Sequence, residues 1–464
     1  LPLNQPVAAP AAGWFTDNGQ TLKAEHLPAK QAVRWPGAAT ESRLLARPEQ
    51  PLKATHLTFT HTLQPGPALF DWMAATGLAH RKIALPPGPP TVLQYEVLYA
   101  DSSTLSIPAR FGEGIHRWYR VHAVGPMLWA SAGQVTDLNP ESGEKAAVYR
   151  MKWPNPYPEK AILQISLKSR QPDEKNYGDA LVSGIEATNE PATGKTWYVD
   201  RPPMGNDGQP GTFEKPFGSL RHAASIARPG DVVYVRGGYY MLNRPVNLEF
   251  EGETGKWLTL SAYFGETPVL DALGLHHDYR DDEARQQAGD MTPRRQHDTG
   301  IISAWGNPSY LRIQGLHIRN SRRAGISVYG QSAEGSKSFG ETRQVEVNFN
   351  TTYKTRTMGI IIHVVDSVKV IGNRVARPHS VQMGNDPLTG EQIAFDHGAQ
   401  EGIDLSRNRV FEIAYNEVYG GGKEAIDCIS VQDGEIHHNY VHSSLNGIYI
   451  DSWSVPIRRL NIHH

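Results

Sequence analysis

Two short stretches of the chain, "EGIDLS" (401–406) and "EAIDCIS" (424–430), carry the same two carboxylates at the same offsets. The offset of 23 residues matches Glu401 with Glu424 and Asp404 with Asp427. Two like charges side by side repel, so one acid keeps its proton at a raised pKa or a cation sits between them. A protonated acid beside an ionised one supplies an acid and a nucleophile or base, as glycoside hydrolysis requires. A cation held by the pair would be calcium by ligand type. Both chemistries stay open at this level.

Whether the acids meet depends on the elements that carry them. A block recurs as "TGIISA" at 299, "AGISVY" at 324, "MGIIIH" at 358, "EGIDLS" at 401, "EAIDCI" at 424 and "NGIYID" at 446. Its central residues Ile301, Ile326, Ile360, Ile403, Ile426 and Ile448 step by 25, 34, 43, 23 and 22 residues. A second block, out of phase, places Asn373, Asn416 and Asn439 in "VIGNRV", "IAYNEV" and "IHHNYV". Short segments alternating with period two, with one asparagine per turn, describe a solenoid of parallel strands and exclude an amphipathic helix. Asparagine suits such turns because it tolerates left-handed backbone and its amide can bond to its copy in the next coil.

Strand alternation then divides the side chains. Ile360, Ile362, Ile403, Leu405, Ile426 and Cys428 form the set expected to fill the interior. The opposite face carries His363, Asp404, Asp427, Tyr449 and Asp451, with Gly or Ala at the strand starts expected to leave room above the sheet. Neighbouring strands lie ~4.8 Å apart, so Asp404 and Asp427 are expected with carboxyls about 5 Å apart. Glu401 and Glu424 are expected at turns, with Lys423 beside them.

The long steps add "GQSAEGSKSFGETRQ" (330–344) and "RPHSVQMGNDPLTGEQIAFDHGAQ" (377–400), expected to overhang the acidic row as cleft walls. The second brings Asp396 and His397 close to Glu401 in sequence, and Trp453 follows Asp451 as a surface on which a sugar ring could stack. His437, His438, His442, His463 and His464 resemble a metal cluster by composition, but their place in the asparagine block fits a solvated turn face. "GGGKE" (420–424) lacks the following helix that a phosphate loop needs.

The chain has 464 residues, long enough for two domains. Its 44 Gly and 33 Pro suit a turn-rich β protein. A formal charge of −2, from 46 basic and 48 acidic residues, gives no electrostatic case for nucleic acid. No apolar run reaches membrane-spanning length. The single Cys428 excludes an internal disulfide framework. Residues 1–190 lack the repeat; "TVLQYEVLYADSSTLSIPARFGEGIHRWYRV" (91–121) and "KAAVYRMKWPNPYPEKAILQISLKS" (145–169) alternate as an antiparallel β-sandwich would. Segment 170–195 is polar enough for a linker.

The entry "TWYVDRPPMGNDGQPGTFEKPFGSLRHAASIARPGDVVYVRGGYY" (196–240), followed by the G-I-x-x strands, resembles right-handed parallel β-helix proteins of the pectate-lyase-like group. The resemblance implies a right-handed parallel β-helix catalytic domain over 191–464. Residues 1–190 separately look like the β-sandwich accessory modules found ahead of catalytic domains in polysaccharide-degrading enzymes, with carbohydrate binding left open as their role, so the expected fold is all-β. The β-helix resemblance also implies that "SLRHAASIA" (219–227) caps the first coil. The expected function is a polysaccharide-degrading glycoside hydrolase. Asp404 and Asp427 would be the main pair, with Asp451, Glu424 or His363 in support, and Tyr449, Trp453, Lys423, Glu401 and His397 contacting substrate. One alternative is a calcium-dependent polysaccharide lyase, with Asp404 and Asp427 holding the cation; another is a non-catalytic glycan-binding β-helix. The hydrolase needs no cofactor, and calcium belongs to the lyase. The expected partner is a polysaccharide or oligosaccharide met by a monomer. The start at Leu1 without methionine suggests a processed signal peptide and a secreted, periplasmic or bacterial cell-surface location, and the final asparagine-type turn suggests a truncated solenoid.

Overall fold

The computed structural model describes residues 1–5, 7–8, 13–17, 20–27, 31–139, 143–169, 174–273, 275, 300–321, 324–331, 339–355, 357–378, 401–453 and 455–464. The chain divides into two units: Leu1–Lys82 with Pro86–Pro191, and Ile83–Leu85 with Ala192–His464. Among the described residues no helix is long and apolar enough to cross a membrane.

The first unit is an antiparallel β-sandwich. One sheet orders Val7–Ala8, Gln31–Trp35, Gly178–Thr188, His56–Pro65, Glu144–Pro154 and Ala130–Asn139. The other orders Arg43–Ala46, Ile162–Leu167, Thr91–Tyr99 and Thr104–Arg110. Two features depart from the sequence reading. Gly178–Thr188, inside the expected linker, is an inner strand that pairs along its length with His56–Pro65. Its run Ala180–Val182 is buried, which a solvated linker would not be. A 15-residue helix, Pro67–Arg81, also interrupts the strands. Gly66 stands at its N-cap and Pro67 at its first turn, where the ring preorganises φ and the missing N–H costs nothing.

The second unit is a right-handed parallel β-helix. Its described strands form three parallel sheets of nine, seven and seven members, and the chain visits them in turn. Val345, Val370, Ile413, Ile318, Val375, Val418, Ile360, Ile403 and Ile426 meet in one interior cluster. Helix Leu220–Ile226 lies at the first coils, capped by the Ser219 hydroxyl accepting from His222 N. Its Leu220, Ala223 and Ala224 enter that same cluster.

The asparagine column is continuous and longer than expected, beginning one coil earlier at Asn350. Asn350 N and Nδ2 donate to Asn373 Oδ1 at 2.9 and 3.2 Å. Asn373 repeats this toward Asn416 at 2.9 and 3.0 Å, and Asn416 toward Asn439 at 3.0 and 2.9 Å. The left-handed residue at this turn is the one before each asparagine: Phe349, Gly372, Tyr415 and His438. Hydrogen bonding, not backbone tolerance, therefore selects asparagine here. Asn373→Ala leaves the buried Asn350 amide without its acceptor, so we expect a loss of about 2–4 kcal/mol in urea unfolding.

The third sheet carries the acid strands: Ala324–Tyr329, Ile360–His363, Ile403–Ser406, Glu424–Ile429 and Asn446–Asp451. Register runs Ile326, Ile360, Ile403, Ile426, Ile448, as the repeat implies. The first coil differs: Ile302, not Ile301, pairs with Ile326, because Gly300 aligns with Ala324 rather than with Gly325. The glycines also do a different job from the one expected. A Cβ on Gly402 would lie 2.4 Å from Val418 Cγ1, and one on Gly359 2.3 Å from Val375 Cγ1. Both valines are interior, so these glycines let neighbouring sheets close inside the coil instead of clearing space above it. Ile360–His363, Ile403–Ser406 and Glu424–Ile429 each end at a sharp corner, where Val364, Arg407 and Ser430 take left-handed backbone.

Candidate active site

Alternation in the third sheet sends Ile403, Leu405, Ile426 and Cys428 inward, each fully buried. Asp404 and Asp427 are left on the opposite face in direct register. Across that face one row reads Ser303, Ser327, Ile361, Asp404, Asp427, Tyr449. A second row, two residues further along, reads Tyr329, His363, Ser406, Ile429, Asp451. The single outward row of the sequence reading is thus two rows. His363 reaches diagonally across them, its Nε2 lying 2.8 Å from Asp404 Oδ2. The rings of His363 and Tyr329 meet edge to face at a centroid separation of 5.5 Å.

The acids turn away from the interior and are nonetheless buried: Asp404 is 2% exposed, Asp427 3%, Glu401 3% and Glu424 5%. Glu401 and Glu424 stand at the strand starts beside Lys423, as expected, but buried. The Lys423 ammonium lies between them, 2.8 Å from Glu401 Oε1 and 3.2 Å from Glu424 Oε2. Asn446 Nδ2 donates to Glu424 Oε1 at 3.1 Å. Asp404 Oδ1 and Asp427 Oδ1 are buried with no hydrogen-bond partner among the described residues.

Crowding sets the protonation. Burial, then the charges of Asp404, Glu401 and Glu424, push the Asp427 carboxyl up to about 8 against the pull of Lys423. Burial and Asp404 likewise raise Glu401, with Lys423 opposing. Burial alone would lower Lys423, but Glu401 and Glu424 outweigh it and hold the ammonium above its ordinary range. Lys423→Met leaves two buried carboxylates facing each other. Because Lys423 is part-exposed, we expect a loss of about 1–3 kcal/mol near pH 7 in urea titrations, smaller in acid as Glu401, already shifted up by burial, takes a proton.

The other named residues fall around this group. Tyr449 follows Asp427 in register and is 42% exposed. Trp453 is 78% exposed, and its indole N–H donates to Asp451 Oδ2. Asp451 stands in register with Ile429, so it belongs to the indole and the Ser452 amide rather than to the acid pair. Asp396 and His397 lie outside the described residues. Tyr329 and Asn446 were overlooked in the sequence, although each occupies in its own block the offset of a named residue: Tyr329 that of His363, and Asn446 that of Glu401 and Glu424.

The histidines form a stacked turn face. His437 stacks on His463, and His438 on both Tyr415 and His464. Among the described residues no three His, Cys, Asp or Glu side chains converge as a metal site, here or at the acids. Asp404 Oδ2 is taken by His363, and Glu401 and Glu424 share Lys423.

Two family models match the second unit. One described as "Pel9A-like, right handed beta helix region" matches 197–370, and one described as "Right handed beta helix region" matches 300–462. Both descriptions agree with the right-handed parallel β-helix seen in the second unit. An uncharacterized protein of Bacillus subtilis (strain 168), YwoF, is 31% identical over 151 residues, 32% of this chain. That match spans 28% of the length of YwoF. Among solved structures, the GH136 lacto-N-biosidase of Eubacterium ramulus is 14% identical over 57% of this chain and 51% of its own, with a TM-score of 0.40. Pectate lyase Pel9A is 11% identical over 58% and 62%, with a TM-score of 0.30. Likenesses this remote do not assign a reaction.

Proposed function

We propose that the second unit is a glycoside hydrolase in which Asp427 is the general acid and Asp404 the nucleophile. The observation that carries this reading is the in-register pair, one member of which keeps its proton to about pH 8. At neutral pH Asp427 then has a proton to give a leaving oxygen, while Asp404 is steadied by the hydrogen bond to His363. Adjacent strands set the two carboxyls at roughly the 5 Å separation that accompanies retention of configuration. The surplus of carboxylates around the pair favours the positive charge that develops on the sugar in the transition state.

The same surplus argues for a substrate without carboxylates. Four acids and one lysine would repel a uronate, and Lys423, held between two glutamates, is poorly placed as the base of an eliminating lyase. A polymeric substrate fits a monomer working at the cell surface or outside the cell, with the β-sandwich as its accessory module.

A polysaccharide panel, incubated with and without chelator, tests the reading. We expect new reducing ends, no unsaturated uronate absorbance and no effect of chelation. Unsaturated products that vanish with chelator would overturn the hydrolase in favour of the lyase. Glycan binding without any product, unaltered by replacing both aspartates, would overturn catalysis altogether.

A further inference from the structure

Away from the acid site, the first unit holds a cavity of about 330 Å³ at one end of its sandwich. It opens where strands of both sheets begin or end. Trp35 closes Gln31–Trp35 in one sheet, Thr91 starts Thr91–Tyr99 in the other, and Lys168 follows Ile162–Leu167. The wall on one side is the segment Glu174–Tyr177, which leads into the inner strand Gly178–Thr188. An Asx turn shapes this wall, with Asn176 Oδ1 accepting from Gly178 N at 2.9 Å.

The lining has three kinds of group. Trp35, 7% exposed, and Tyr177, half-buried, give it aromatic surface. Gln94 adds an amide that both donates and accepts. Lys168, Lys175 and Glu174 add charges of both signs. Lys168 is only loosely engaged, 3.5 Å from Ser106 Oγ and 4.0 Å from Glu96.

We propose that this cavity binds a neutral sugar residue of a glycan chain. A cavity of this volume is at the small end of small-molecule sites, which suits one or two sugar rings rather than a cofactor or a protein segment. The face of a sugar ring is apolar C–H surface that packs on an aromatic side chain, whereas its rim is hydroxyls that each donate and accept. Tyr177 and Trp35 match the first, and Gln94 with the mixed lysines and glutamate matches the second. Two lysines against one glutamate leave only a slight positive balance, so the aromatic and amide groups, not charge, favour the neutral ring, and the uronate oligomer in the test decides between them. The inference rests on the glycan reading of the second unit for its class of ligand, but on none of that unit's residues.

The test uses the full chain carrying D404N and D427N, so that binding is measured without cleavage. Calorimetry is run with neutral gluco-, xylo-, manno- and galacto-oligosaccharides, and with a uronate oligomer for comparison. We expect at least one neutral series to bind, with affinity lowered about tenfold or more by Y177A and separately by Q94A. Thermal unfolding of each variant controls for misfolding, and Tyr177→Phe, which keeps the ring, should restore most of the binding. Unchanged affinity in both variants, binding of the uronate alone, or no saccharide binding would overturn the proposal. The catalytic reading fails separately: binding that depends on Tyr177, in a chain whose parent cleaves no glycan, would sink the hydrolase and leave this site standing.

Discussion

Asp427→Asn should lower cleavage of a polymeric glycan by about 10²–10⁴-fold, the usual contribution of a positioned general acid. The reason is its protonation, since burial and three neighbouring carboxylates hold Asp427 as an acid up to about pH 8. Activity of the parent chain should therefore fall along an alkaline limb through about 8, as Asp427 loses that proton, and the variant should lack this limb. Asp404→Asn should lose at least as much activity, because the bond-forming oxygen itself is removed. An aryl glycoside with a good leaving group separates the two roles. It needs little protonation, so it should restore much of the rate to Asp427→Asn and none to Asp404→Asn. Measured kcat/KM for polymer and aryl glycoside across pH checks all of this. Equal rescue of both variants would sink the assignment of acid and nucleophile.

Stability should shift with pH through the same group. An unfolded aspartate titrates near about 3.9, while folded Asp427 titrates near 8. Between those values the folded chain binds the extra proton, so this contribution is fully present below the unfolded pKa and is lost as pH rises through the folded one. One pKa unit corresponds to about 1.4 kcal/mol, which makes the shift large beside ordinary mutational effects. Asp427→Asn removes the ionisation. Near pH 4 the variant and its parent should be similar in urea unfolding, and toward pH 9 the variant should be more stable by about 2–5 kcal/mol. A residual slope should persist, because Glu401 is shifted in the same direction. Stability curves for the two chains that stay parallel from pH 4 to 9 would contradict the raised pKa. More activity lost with more stability gained is a familiar exchange at a strained polar site.

Some of this was legible in the residues because a solenoid repeats its own geometry. The coil period, the interior set from Ile360 to Cys428 and the register of Asp404 with Asp427 follow from strand alternation and the repeated E-x-I-D. A misaligned glycine was enough to misplace the first coil: matching Gly300 to Gly325 instead of Ala324 shifts the register by one residue and reverses which side chains face inward. The helix Pro67–Arg81 was hidden for a different reason, since its partners are supplied by the sandwich and its own apolar pattern is weak.

By itself the sequence determined the β-helix, the face on which the acids lie and their pairing, because these depend on local period and on the offset between copies. The tertiary structure decided what surrounds them. It brought His363 from one row to Asp404 in the other and set Lys423 between two glutamates. It also buried the four carboxylates so deeply that one must keep its proton. Burial and diagonal reach depend on how successive coils stack, and a single coil's sequence does not carry them.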